Sequence, residues 1–149
     1  MSKQSTKQAQ EKIVENMRKW KKIENASVSS TGRVIEATEN PIVRLVMEII
    51  QRDSQMHYRV QELIEDSLTT KAVVLDPEEV GKVWSLIEKH IELEKKTVEL
   101  AKSSLDAIEG KKGMLVQAYL LEYLLKDEQK HDTILAKLNE VKKGMYPYG

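Results

Sequence analysis

Apolar residues recur along this chain every three or four positions, the spacing of helices with one buried face. Four such segments are predicted. The first occupies residues 1–25 and is helical from about residue 4; Ile13, Met17, Trp20 and Glu24 share its stripe, with Val14 and Ile23 at the edges. The stripe is thin, so this helix is expected to pack on the outside of something larger. Residues 26–40, ASVSSTGRVIEATEN, are small and polar and predict a loop. Asn40 suits a helix cap and Pro41 the first helical position. The second stripe is Ile42, Val46, Ile49, Ile50, Asp53, His57, Val60, Ile64 and Leu68, ending near Thr70. Asp76-Pro77-Glu78-Glu79 is the clearest start signal, a cap, a proline and two acids at the positive end of the helix dipole. The third stripe is Val80, Val83, Trp84, Ile87, Ile91, Glu94, Val98, Ala101, Leu105 and Ile108, closed by Gly110. The fourth helix runs from about Gly113 to Lys143, and 144–149 form a tail.

Strand-like alternation is missing except around Arg33-Val34-Ile35. Short connections make successive helices antiparallel neighbours. The expected fold is therefore all-α, an up-down four-helix bundle in one domain of 149 residues, with 41–143 as a three-helix core. The first helix is its fourth member or an arm onto a second subunit.

Composition narrows the function. Lys and Arg number 24 and Asp and Glu 24, so the formal net charge is zero. Phosphate binding needs a basic excess, which argues against nucleic acid as partner. The local excess at Lys3, Lys7, Lys12, Arg18, Lys19, Lys21 and Lys22 is expected to be a solvated helix face. Cysteine is absent, which excludes disulfides, thiol catalysis and zinc ribbons and fits a cytoplasmic protein. No apolar run approaches the roughly 18 residues that cross a bilayer. MSKQSTKQAQEK lacks the apolar core of a signal peptide.

The candidate chemistry lies on the apolar stripes. Each of the three histidines has a carboxylate at helical spacing: Asp53 before His57, Glu94 after His90, and Glu128 before His131. Ionisable residues on such stripes are rarely found unless paired or bound to metal. Counted along antiparallel helices at ~1.5 Å per residue, the three carboxylates share one level and the three imidazoles the next, ~5 Å away. The reversed order in the third helix is what an antiparallel helix needs. Three carboxylates at one level need protons or a cation among them. Imidazoles beside carboxylates suit iron, manganese or zinc, and six ligands suit two metal ions. The alternative is a buried layer of His–carboxylate pairs that fixes register without metal.

Two stretches resemble a known family. Asp53-Ser54-Gln55-Met56-His57-Tyr58-Arg59 is similar to the first-helix motif of rubrerythrins, Glu-Ser-x-x-His-x-Arg. Glu128-Gln129-Lys130-His131 matches the Glu-x-x-His of their last helix. The chain thus resembles the ferritin-like di-metal carboxylate superfamily, rubrerythrin-like but without a rubredoxin domain. The resemblance implies Asp53, Glu128 and His131 as metal ligands. It departs from the family in three places: Asp53 is shorter than Glu, the third helix carries His90-x-x-x-Glu94, and the first offers only Glu24 or Glu15 as a fourth carboxylate.

The expectation is a cytoplasmic ferritin-like protein binding two metal ions, iron before zinc or manganese, at Asp53, His57, His90, Glu94, Glu128 and His131. Iron there would serve iron oxidation or the reduction of oxygen or peroxide, in a homodimer or higher homo-oligomer with no membrane partner. The alternatives are a metal-free helical interaction module and a metal-binding protein without turnover. Trp20, Trp84, Tyr58, Tyr119 and Tyr123 are expected to pack.

Overall fold

The computed structural model describes the backbone of residues 5–145 and side chains to residue 141. The chain is all-α, with four long helices and, among the described residues, no strand. They are α1 (Thr6–Ala37), α2 (Pro41–Thr69), α3 (Pro77–Ile108) and α4 (Leu115–Met145). Two compact units divide the chain, residues 1–73 and 74–149. In the first, α1 packs on α2; in the second, α3 packs on α4. Both pairs are antiparallel: Arg18 meets Glu65 while Ser27 meets Ser54, and Glu94 meets His131 while Thr97 meets Glu128. Among the described residues no helix is long and apolar enough to cross a membrane.

The starts of α2 and α3 follow their caps. Asn40 Oδ1 accepts from the backbone N–H groups of Ile42 and Val43, and Asp76 Oδ1 from that of Glu78. These bonds satisfy donors that have no partner inside the helix. After α3, Gly110 takes φ 73°, the left-handed conformation that glycine adopts without a Cβ clash. A further cap was present in the sequence at α1: Ser5 and Gln8 exchange side-chain and backbone bonds as a capping box.

The first helix departs from expectation. Residues 26–37 are helical rather than a loop, so α1 spans 32 residues. Their small side chains serve a helix–helix seam instead of a turn. Thr31 donates to the carbonyls of Ser27 (2.8 Å) and Val28 (3.0 Å), which keeps its hydroxyl paired inside the helix. Ser27 meets Ser54 across the seam at 2.7 Å, and Gln51 donates to the Val28 carbonyl. α1 is accordingly a full-length partner of α2, not an outlying arm. At the other end, α4 continues through Gly144 to Met145, and the tail expected beyond lies at 146–149, outside the described residues.

Burial along α1 falls on Val14, Met17, Lys21, Glu24, Val28, Thr31 and Ile35. This alternation of three and four is a heptad seam. The facing seam of α2 is Met47, Gln51, Ser54, Tyr58, Gln61, Glu65 and Leu68. It is mostly polar and meets the apolar stripe expected from the sequence only at Leu68, with Ile42, Val46, Ile49 and Asp53 of that stripe half-buried beside it. Ile50, Val60 and Ile64 of that stripe are exposed. The reason is pairing: across this seam Lys21 meets Glu65, Ser27 meets Ser54 and Gln51 donates to the Val28 carbonyl. The α3 seam does follow its predicted stripe, from Val80, Trp84 and Ile87 to Ala101, Leu105 and Ile108, with Glu94 at its middle. Only Val83 of that stripe is exposed.

An ion triad closes one end of the first pair. Arg18 Nε and Lys21 Nζ lie 2.8 and 2.9 Å from the two oxygens of Glu65. The Arg18 hydrogen bond, then that of Lys21, holds the Glu65 carboxyl below its ordinary value of 4.5. A depressed carboxyl stabilises the fold at pH values above its unfolded pKa, and that stability is lost as pH falls through the folded one. Thermal stability is therefore expected to decline on acidification below about pH 4.5. Glu65→Gln should remove part of that acid dependence, and identical pH profiles of the melting temperature would refute the contribution.

Candidate metal centre

The polar interruption of the α3–α4 seam is built around Glu94. This residue is only 7% exposed, on a helix whose neighbouring seam residues are Ile91 and Val98. A carboxylate there loses its water and needs compensation from the protein. His90, one turn earlier on α3, supplies some of it: its Nε2 lies 2.8 Å from Glu94 Oε1. From α4, His131 Nδ1 lies 3.4 Å from Glu94 Oε1 and 3.6 Å from Glu128 Oε2. Ligand atoms of Glu94, Glu128 and His131 all lie within 4.8 Å of one another.

The surrounding contacts orient this group. Thr97 donates to Glu128 Oε2 at 2.9 Å. The outer ring nitrogen of His131, Nε2, lies 3.4 Å from Asp127 Oδ2. Asp127 thus stands beside the outer ring nitrogen while Nδ1 faces the two glutamates. Glu94 Oε2, in contrast, is buried with no hydrogen-bond partner.

The two glutamates cannot both ionise freely at this separation. The contact with Glu128 is the chief cause that holds Glu94 below the ordinary carboxylate range, with His90 and His131 adding to it against the effect of burial. The same contact, with burial and the charge of Glu94, pushes Glu128 up. The contact thus lowers one carboxyl and raises the other where a cation would meet two carboxylates. Two carboxylate oxygens and an imidazole nitrogen form a donor set suited to iron, manganese or zinc.

The six residues named from the sequence divide between the units. His90, Glu94, Glu128 and His131 come together in the second. Glu94 and Glu128 adjoin, as the level count expected, but both histidines turn toward Glu94 instead of forming a layer of their own. Asp53 and His57 lie on α2 in the first unit. There His57 Nδ1 is 3.6 Å from Glu24 Oε2, and Asp53, half-buried, is not its ion-pair partner. Glu24 is 6% exposed and its Oε1 accepts from Trp20 Nε1 at 3.2 Å. Three participants were missed in the sequence. Asp127 stands four residues before His131, the spacing that singled out Asp53. Thr97 has no signal of its own, being a hydroxyl on an exposed helix position. Trp20 was expected only to pack, yet it donates to a carboxylate.

No protein-family model, characterised protein or solved structure matches the chain. What fold and site define is an all-α protein carrying a Glu–Glu–His cluster within an antiparallel helix pair.

Proposed function

We propose that the protein binds a divalent transition-metal ion through Glu94, Glu128 and His131, and that with iron it acts in iron oxidation or in the reduction of oxygen or peroxide. One observation carries the metal reading: the buried, unpartnered Oε2 of Glu94, set beside a second carboxylate and an imidazole. An acceptor-only oxygen in that position is costly unless a proton or cation meets it. Iron, when bound, would supply one-electron redox chemistry. The chain's own part is to hold and orient. His90 fixes the Glu94 carboxylate, Thr97 fixes Glu128, and Asp127 orients the His131 ring from its outer nitrogen. A cation would compete with the proton that the raised Glu128 carboxyl favours. The choice of iron and of a redox reaction rests on the two rubrerythrin-like motifs around His57 and His131.

Metal analysis of the purified protein is the test. Iron, manganese or zinc is expected to co-purify, and added Fe(II) to be oxidised rapidly by oxygen or peroxide. Protein that stays metal-free after challenge with all three would overturn the reading. Metal uptake without steady-state peroxide consumption would leave a storage or buffering role.

A second reading is a metal-free helical interaction module. It is favoured by Leu86, Leu93 and Leu100, which repeat every seven residues on α3 and are 62%, 56% and 67% exposed. Such a stripe is the seam of a coiled-coil partner and also suits a homo-oligomer.

A further inference from the structure

A helix in an antiparallel pair needs one face for its neighbour, and α3 carries a second. Its α4 seam runs through Ile87, Ile91, Glu94 and Val98. Leu86, Leu93 and Leu100 lie off that seam and stay exposed. Spaced by seven, they form one column along the helix, the d positions of a heptad labelled a to g. The a positions beside them include His90 and Thr97, the two residues that hold Glu94 and Glu128. Both are exposed, so a helix laid on the leucine column would run over the side chains that support the Glu94 cluster.

A second column marks what that helix must carry. Lys82, Lys89 and Lys96 each stand four residues before one of the leucines, on one flank of the column, and all three are exposed. Other lysines of this helix pair are spent within their own helices. Lys95 lies 3.2 Å from Glu92, Lys130 2.9 Å from Asp127 and Lys137 3.1 Å from Glu140. Among the described residues, Lys82, Lys89 and Lys96 have no such partner.

Charges beside an apolar column set the partner and its orientation. A second copy of α3 does not answer these three. In an antiparallel pair related by a twofold axis, the lysine flank of one copy faces the lysine flank of the other, and like charges there oppose association. In a parallel pair the lysines face Ile87, Glu94 and Ala101, which are turned into the α4 seam. A complementary helix has apolar residues on its own seam and glutamate or aspartate beside them.

We propose that the outer face of α3 docks an acidic amphipathic helix of another protein, held by Leu86, Leu93 and Leu100 and oriented by Lys82, Lys89 and Lys96. The proposal rests on the reading of the leucine column as an interaction seam, and it holds with or without metal at Glu94.

Two labelled four-heptad peptides, titrated with the full chain and followed by fluorescence anisotropy, test it. Both carry valine at every a position and leucine at every d. One has glutamate at every e and g position, the other lysine. The glutamate peptide is expected to bind at least ~10-fold more tightly, an advantage that shrinks as salt is raised. Leu93→Glu, at an exposed position, should abolish its binding with the helical spectrum retained. Lys89→Glu with Lys96→Glu should turn the preference toward the lysine peptide. Equal affinity of the wild type for both peptides, or binding of neither, would overturn the proposal. So would wild-type self-association in sedimentation that Leu93→Glu abolishes, which would give the face to a second copy. If Leu93→Glu changes neither peptide binding nor sedimentation, the seam reading itself is refuted.

Discussion

Glu94→Gln is expected to weaken Zn(II) or Fe(II) binding by more than the ~10–100-fold that loss of an outer-shell partner costs. The change is nearly isosteric. Gln retains an oxygen that accepts from His90 Nε2, so the α3–α4 packing should be unaltered. What is lost is the charge on the carboxyl that the fold already keeps ionised, the one held low by Glu128, His90 and His131. The remaining donors are Glu128, whose carboxyl no longer has the Glu94 charge pushing it up, and His131. Binding should therefore weaken without unfolding, read as a higher dissociation constant in calorimetry with an unchanged helical spectrum. His90→Gln acts through Glu94 only and should weaken binding less. Equal affinity in wild type and Glu94→Gln would remove this carboxylate from the site.

The double replacement Glu128→Leu with His131→Leu separates the two functional readings. In metal-free protein it removes a raised carboxyl and a half-exposed imidazole from a seam flanked by Leu125 and Leu135. Buried polar pairs exchanged together for apolar residues usually leave stability unchanged or higher. Here, however, Glu94 stays behind with His90 as its remaining partner, so the metal-free variant should melt below the wild-type temperature. The response to metal should then diverge. Wild type at about 100 times its dissociation constant gains ~2.7 kcal/mol of stability from Zn(II) or Mn(II), and the variant gains none. An interaction module predicts no gain for either protein. A gain of equal size in both would place the metal elsewhere.

The fold was legible because its punctuation is local. Asn40-Pro41, Asp76-Pro77 and Gly110 act within a turn of where they stand, and each marks the helix end predicted for it. Residues 26–37 misled for the opposite reason. Ser27, Thr31 and Gly32 carry loop-like composition, but Thr31 bonds its own helix and Ser27 bonds Ser54, which only the paired helices reveal. The α2 stripe held only in part, for a similar reason. Periodicity found its apolar side, while the polar seam of α1 selected the side that packs. At the site, spacing within a helix brought out Glu94 and His90, and Glu128 and His131, all of which meet. Glu24 as the partner of His57 depends on the register of α1 on α2, which follows from the misread segment.

Crystals soaked in Zn(II) and measured at the zinc absorption edge address the central claim most directly. An anomalous peak is expected among Glu94, Glu128 and His131, with metal–ligand distances of ~2.0–2.2 Å and Nδ1, not Nε2, of His131 as the nitrogen donor. A fully soaked crystal with no peak between those three side chains would contradict it.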